Sequence, residues 1–121
     1  MAKTVLIAED YEDSRTCLKF MLEYFGFEVI EAENGAEAVD VFMQTQPDLI
    51  LMDLAMPMMD GLTATKTIRN SEFKNHTPIV AVSAFGKALY EEAIQAGCND
   101  LIDKPLDFDS LVPVLNRYIV Q

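Results

Sequence analysis

Residues 49–53 read Leu49-Ile50-Leu51-Met52-Asp53, an uninterrupted apolar run that ends at an acid. Two further runs of the same kind, Val5-Leu6-Ile7-Ala8 and Ile79-Val80-Ala81-Val82, lie before and after it in the chain. Unbroken apolar runs of this length are typical of strands that are buried on both faces of a parallel sheet. Glu28–Ala32 and Leu101-Ile102 are weaker strand candidates, and their mixed polarity predicts that they lie at the sheet edges.

Apolar residues recur at helical spacing around these runs, which predicts five helices. The residues that mark them are, in chain order, Leu18, Leu22 and Phe25; Ala36, Val39 and Phe42 or Met43; Leu62, Thr65 and Ile68; Leu89, Ala93 and Ala96; and Leu111, Leu115 and Tyr118. Pro113 predicts that the last helix is regular only from about Asp109, or kinks there, because a proline ring clashes with the carbonyl four residues earlier. Alternating strands and helices predict an α/β fold: a flavodoxin-like, doubly wound, five-stranded parallel sheet of order 2-1-3-4-5 with five helices. Residues 1–121 are expected to form a single domain.

Composition excludes several classes of function. The 121 residues include 20 acidic and nine basic side chains, a net charge of −11, so direct binding of nucleic acid is not expected. Membrane insertion is not expected either, because no apolar run approaches the ~18 residues that cross a bilayer. Cys17 and Cys98 form no C-x-x-C pair and are interpreted as reduced thiols of a cytoplasmic protein. His76 is the only histidine and is interpreted as a solvated loop residue, which excludes a histidine-rich metal site and a Ser-His-Asp triad.

Polar side chains follow the predicted strands at their carboxyl ends. Glu9 and Asp10 follow the first strand, Asp53 ends the third, Ser83 ends the fourth and Lys104 follows the fifth. Ligands of open α/β sheets bind beyond the carboxyl ends of the strands, near the point where the strand order reverses. Three carboxylates gathered there need positive charge, and a hard cation such as Mg²⁺ prefers oxygen ligands. With Lys104 and the Ser83 hydroxyl, these groups are suited to phosphoryl transfer.

These pieces together resemble the receiver domain of two-component response regulators, the phosphoacceptor module exemplified by the chemotaxis regulator. The matching pieces are Glu9-Asp10, the stretch Asp53-Leu-Ala-Met-Pro-Met-Met-Asp-Gly61, Ser83-Ala84 and Lys104-Pro105. The resemblance covers the whole chain, and no effector domain is expected beside the receiver.

The resemblance implies that Asp53 accepts a phosphoryl group from a phosphohistidine on a sensor histidine kinase or a phosphotransfer protein. Ser83 and Lys104 would contact that group. Phosphorylation would change the face around helix 4, strand 5 and helix 5, which binds a downstream target that the sequence does not identify. Such a protein is a signalling switch and not an enzyme, since it catalyses only its own phosphorylation and slow dephosphorylation.

The resemblance also implies a Mg²⁺ site. Asp10 would bind the ion directly, Glu9 mainly through water, and the backbone carbonyl of Ala55 would complete the protein ligands together with Asp53. Ala55 and Phe85 would flank the path of the water that hydrolyses the aspartyl phosphate. Neither side chain can orient a water, so a slow loss of the phosphoryl group is predicted.

One position departs from the family pattern, since Leu101 replaces the usual aromatic residue three positions before the lysine. This departure favours an alternative, a degenerate receiver that acts as an unphosphorylated binding module. A phosphatase of the haloacid dehalogenase type is a weaker alternative, because it needs a second acid two residues after the nucleophile and Ala55 stands there.

Overall fold

The computed structural model describes residues 2–71 and 77–120, and His76 therefore lies outside the described residues. Strands and helices alternate along these two segments. In chain order they are β1 (Thr4–Ala8), α1 (Glu12–Tyr24), β2 (Glu28–Ala32), α2 (Gly35–Thr45), β3 (Leu49–Asp53), α3 (Gly61–Arg69), β4 (Ile79–Ser83), a 3₁₀ turn (Gly86–Leu89), α4 (Tyr90–Ala96), β5 (Asp100–Asp103) and α5 (Phe108–Tyr118). Each apolar run quoted above lies within a strand.

The strands form one parallel sheet with the order β2-β1-β3-β4-β5, which confirms the predicted topology. The mixed-polarity strands β2 and β5 are the two edges, as expected from their sequences. The strand order reverses between β1 and β3, where Ala8 lies opposite Met52. The carboxyl ends of these two strands therefore open into the same crevice.

Alternate residues of the central strands point to opposite sides of the sheet, as strand geometry requires. Leu6, Ile50 and Met52 pack with Phe42 of α2 and Ile68 of α3. Their neighbours in the strands pack on the other side with α1 and α5; these include Val5, Ile7, Leu49, Leu51, Leu22 and Leu111. The sheet is therefore covered by helices on both faces, as the unbroken apolar runs predict.

Polar caps fix where three of the helices begin. The side chains of Asn34, Asp60 and Asp107 accept backbone hydrogen bonds at the starts of α2, α3 and α5. The Asp60 cap begins α3 immediately after the loop that follows Asp53. Helix α5 begins one residue before the predicted start and includes Pro113.

Two helix boundaries differ from the sequence pattern. Phe25 lies just beyond the end of α1 and is 38% exposed, because it packs edge-on against Tyr24 and Phe108 instead of entering the core. Leu89 belongs to the 3₁₀ turn before α4, and α4 begins only at Tyr90. Within residues 2–71 and 77–120, none of the helices combines the length and apolar character needed to span a bilayer.

Candidate functional site

Three carboxylates meet at the carboxyl ends of β1 and β3. Because these strands are neighbours, Glu9 follows β1 beside Asp53, the last residue of β3. Both residues are only 4% exposed, whereas Asp10 is exposed. One ligand atom from each of the three acids lies within 4.8 Å of the others. The fold thus concentrates negative charge at the point where ligands of this sheet type bind.

Lys104 places a positive charge against this cluster. Its Nζ donates to Oε1 of Glu9 at 2.6 Å and to Oδ2 of Asp53 at 2.9 Å. The residue follows β5, and its backbone N–H donates to the Ser83 carbonyl at the end of β4. The ammonium group offsets much of the repulsion between the two buried acids.

Burial changes the titration of Glu9. Burial and a hydrogen bond with Asp53 raise the pKa of Glu9 from 4.5 to about 7, although Lys104 and the Tyr11 N–H act in the opposite direction. Burial lowers the pKa of Lys104, but its hydrogen bonds with Glu9 and Asp53 outweigh that effect and the net pKa is raised. Lys104 is therefore charged at neutral pH, and Glu9 takes up a proton more readily than an ordinary glutamate does.

Ser83 and Ala55 lie on the same cleft as the acids. The cleft has a volume of about 390 Å³, and its lining includes Asp53, Ala55, Ser83, Phe85 and Lys104. Ser83 is 1% exposed, and its Oγ accepts a hydrogen bond of 3.0 Å from the Phe85 N–H, so its own O–H proton is available to a ligand. The Ala55 N–H donates to Oδ1 of Asp53 at 3.0 Å.

Two glycines hold the loop that follows Asp53. A Cβ on Gly61 would lie 2.2 Å from the Asp53 carbonyl oxygen, which is closer than any real side chain approaches. Gly35 donates its N–H to the Met59 carbonyl at 2.9 Å, and a Cβ there would meet the same oxygen at 2.1 Å. These close approaches pack the loop against the start of α3 and the start of α2.

The chemistry of the cluster fits Mg²⁺. A hard cation takes carboxylate and carbonyl oxygens, and Mg²⁺ usually needs only one or two carboxylates because it retains water. Asp10 is exposed and adjacent to the two buried acids, so three carboxylate groups are available. A divalent cation would compete with Lys104 for Glu9 and Asp53.

Two further groups, to which the sequence alone gives no role, hold Glu9 in place. The Tyr11 N–H donates to Oε2 of Glu9 at 3.1 Å, and Nη1 of Arg15 donates to the Glu9 carbonyl at 2.9 Å. The signal for Arg15 is only that a basic residue lies near the start of the helix that follows the acids. Basic residues are common at such positions, and the sequence does not indicate which way the side chain points.

Comparison with known proteins agrees with this fold and shows the family. The family model described as the response regulator receiver domain matches residues 5–116. The polar-differentiation response regulator DivK of Brucella anthropi is 37% identical over 120 residues, which cover 98% of each chain. The chain also superposes on the receiver domain of a sensor histidine kinase from Pseudomonas aeruginosa, with a TM-score of 0.91, 33% identity and full coverage of both chains. That crystal structure has a magnesium ion coordinated in the active site cleft.

A third relative was crystallised with a partner protein. It is the receiver domain of the Saccharomyces cerevisiae response regulator Ssk1, in complex with the histidine phosphotransfer protein Ypd1. Its TM-score is 0.87 at 29% identity, and the match covers 97% of this chain and 88% of that chain. With a family match over nearly the whole chain and relatives of this similarity, the chain belongs to the receiver domain family of two-component response regulators.

Proposed function

We propose that Asp53 accepts a phosphoryl group from a phosphohistidine on a sensor histidine kinase or a histidine phosphotransfer protein. The observation that carries the proposal is that one cleft brings together the carboxylate of Asp53, the hydroxyl of Ser83 and the ammonium of Lys104. The relative crystallised with a phosphotransfer protein supports the class of donor. The cytoplasm, where such a donor would be found, is the proposed location.

Transfer needs a nucleophile and neutralisation of charge. An oxygen of Asp53 attacks phosphorus, a P–O bond forms, the P–N bond breaks, and its electron pair stays on the histidine ring. Lys104 offsets the charge on one phosphoryl oxygen and Ser83 donates a hydrogen bond to another. Mg²⁺ held by Glu9, Asp10, Asp53 and the Ala55 carbonyl supplies, when bound, further positive charge for the phosphoryl oxygens.

In this proposal, phosphorylation is signalled by a conformational change that begins when Ser83 moves toward the phosphoryl group. The Ser83 Oγ accepts a hydrogen bond from the N–H of Phe85, which precedes Gly86, so a shift of this hydroxyl draws the loop toward the site. Leu101 is buried at 4% exposure and packs in the core where the family usually has an aromatic ring. We therefore infer a change centred on Ser83–Gly86, with a smaller change on the α4-β5-α5 face that binds a downstream target protein.

Leu101 also favours a second candidate, an unphosphorylated binding module. A side chain packed in the core cannot swing between a buried and an exposed position as readily as a ring at the surface. The intact set of Asp53, Ser83 and Lys104 argues for phosphorylation instead. Because the protein would modify only itself, we propose a switch and not a turnover enzyme.

Phosphorylation by a small donor separates the two candidates. Incubation with acetyl phosphate and Mg²⁺ should raise the mass of the protein by ~80 Da, the mass of one phosphoryl group. The Asp53→Asn variant should not gain this mass. Asp60→Asn is the matched control, because asparagine also caps a helix and the wild-type mass gain should persist. An unlabelled wild type would favour the binding module, and a labelled Asp53→Asn variant would exclude Asp53 as the acceptor.

A further inference from the structure

Arg15 is a buried cation beside the candidate site. It is the fourth residue of α1 and is only 9% exposed. Its guanidinium group points back to the loop before the helix, where Nη1 donates to the Glu9 carbonyl at 2.9 Å. This carbonyl belongs to the peptide that joins Glu9 to Asp10, the first two acids of the cluster. Arg15 thus holds the peptide unit that sets the relative direction of two carboxylates.

Asp10 depends on this peptide more than its neighbours in the cluster do. The Glu9 carboxylate is held by Lys104 and by the Tyr11 N–H, and the Asp53 carboxylate is held by Lys104 and the Ala55 N–H. Asp10 is exposed to solvent and less confined by packing, so the position of its carboxylate depends more on the backbone that carries it. A rotation of the Glu9–Asp10 peptide would carry the Asp10 carboxylate away from the other two.

The positive charge of Arg15 is balanced away from the cluster. Its Nε donates to Oε1 of Glu31 at 3.2 Å, and its Nη2 lies 3.9 Å from Oε1 of Glu33. These acids come from β2 and the residue after it, so Arg15 connects the second strand to the loop of the first. Lys19, one turn further along α1, also pairs with Glu31, at 3.6 Å.

Charge and position predict opposite effects of removing Arg15. If Arg15 acted only as a nearby positive charge, its removal would leave the acidic cluster more negative and would strengthen the binding of a cation. If it acts by holding the peptide, its removal would let Asp10 turn away and would weaken the binding. Groups that orient metal ligands in this way typically change metal affinity by about 10–100-fold.

We propose that Arg15 is a positioning residue for the cation site, and that it acts through the peptide between Glu9 and Asp10. This inference rests on the proposed Mg²⁺ site and adds a residue that does not touch the ion. A positioning role predicts that cation affinity falls when the positive charge of Arg15 is removed. A purely electrostatic role predicts that cation affinity rises.

Calorimetric titration with Mg²⁺ tests the inference on the full chain. Arg15→Met removes the donors and keeps an unbranched apolar stem, and it should weaken Mg²⁺ binding by about 10-fold. Lys19→Met is the matched control: it removes the same charge from the same helix and the same Glu31, but Lys19 does not contact Glu9. Lys19→Met should leave the affinity unchanged or slightly stronger. Arg15→Lys keeps the charge with a single donor group and should fall between Arg15→Met and the wild type.

Amide NMR gives a second measurement that does not depend on affinity. In the absence of Mg²⁺, Arg15→Met should shift the amide signals of Asp10 and Tyr11, while Lys19→Met should not. If Arg15→Met does not fold, Arg15→Lys carries the test with the same expected direction. Equal or stronger Mg²⁺ binding by both Arg15 variants would overturn the inference while the proposed function stands. A wild type that does not bind Mg²⁺ would overturn both.

Discussion

The Nζ atom of Lys104 lies 2.6 Å from the Glu9 carboxylate, slightly closer than its 2.9 Å distance to Asp53. The lysine is thus shared between a candidate cation ligand and the candidate phosphoacceptor. Any divalent cation must compete with an ammonium group that is already in place. This competition determines whether removal of the Lys104 charge strengthens or weakens cation binding.

Replacing Lys104 with methionine should strengthen Mg²⁺ binding by about 10-fold at pH 8, because a competing positive charge leaves the two acids. Calorimetric titration measures the affinity. Lys87→Met serves as the control. Lys87 is exposed on the 3₁₀ turn, so this substitution removes the same charge at a position that does not pair with Glu9 or Asp53. Weaker binding by Lys104→Met would show that Lys104 organises the acids instead of competing for them.

Glu9 should make the metal-free protein less stable as the pH rises. Its pKa is about 7 in the folded state against an ordinary 4.5, so the folded state binds the extra proton between these values. Stability that is fully present below pH 4.5 is therefore lost progressively as the pH rises through 7, by roughly 3 kcal/mol. Glutamine resembles the protonated acid and removes this loss.

The stability of Glu9→Gln relative to the wild type should therefore increase from pH 5 to pH 8 in the presence of a chelator. Urea denaturation at each pH gives the two free energies of unfolding. Glu91→Gln removes a charge from the exposed face of α4 and is the control for the loss of charge alone. A difference between Glu9→Gln and wild type that does not vary with pH would contradict the raised pKa.

Gln46 should be a site of stored backbone strain. It ends α2 in the left-handed conformation at φ 47°, where its N–H donates to the Phe42 carbonyl. Glycine adopts this conformation without the steric cost that other residues carry, so Gln46→Gly should raise the free energy of unfolding by about 0.5–1 kcal/mol. Urea denaturation measures the change. Gln46→Ala keeps a Cβ and should give no gain; equal gains in both variants would place the effect in the side chain.

Ala55 should determine how long the phosphoryl group persists. The residue is exposed on the cleft beside Asp53, and its methyl group cannot orient a water. Asparagine at this position can donate and accept hydrogen bonds, and one such bond of about 1 kcal/mol corresponds to a several-fold faster hydrolysis. Loss of label from purified phosphoprotein in excess Mg²⁺ gives the half-life. Ala55→Val adds volume without a hydrogen bond and should not shorten the half-life, and an unchanged rate in Ala55→Asn would place the control of lifetime elsewhere.

Much of the fold can be predicted from short stretches of sequence, by whether their apolar residues are continuous or mixed with polar ones. Strands β1, β3 and β4 each contain an unbroken run of four apolar residues because helices cover both faces, and β2 and β5 are mixed because each lies at an edge. The start of α4 could not be read in the same way. A 3₁₀ turn and an α-helix share similar apolar spacing over four residues, so the spacing predicts that Leu89 belongs to α4, whereas it ends the 3₁₀ turn.

The sequence predicts which residues of the candidate site lie at the ends of the strands. Because the carboxyl ends of parallel strands meet at one edge of the sheet, it also predicts that Glu9, Asp53 and Lys104 lie at that edge. It does not give the pairing of Lys104 with Glu9, which are 95 positions apart and meet only through the directions of their side chains. The role of Arg15 is hidden for the same reason, since its partner is a backbone oxygen that carries no sequence signal.

The close contacts of Gly35 and Gly61 have a consequence for how the domain can be observed. They leave no room for a side chain at either glycine, so we expect this flank of the cleft to move less than the flank that carries Ser83. The opposite flank, around Phe85, is exposed and carries no comparable contact among the described residues. A pair of spectroscopic labels, one at exposed Met58 and one at Phe85, would therefore report the movement of a single flank, and the change in their separation would measure the amplitude of the switch directly.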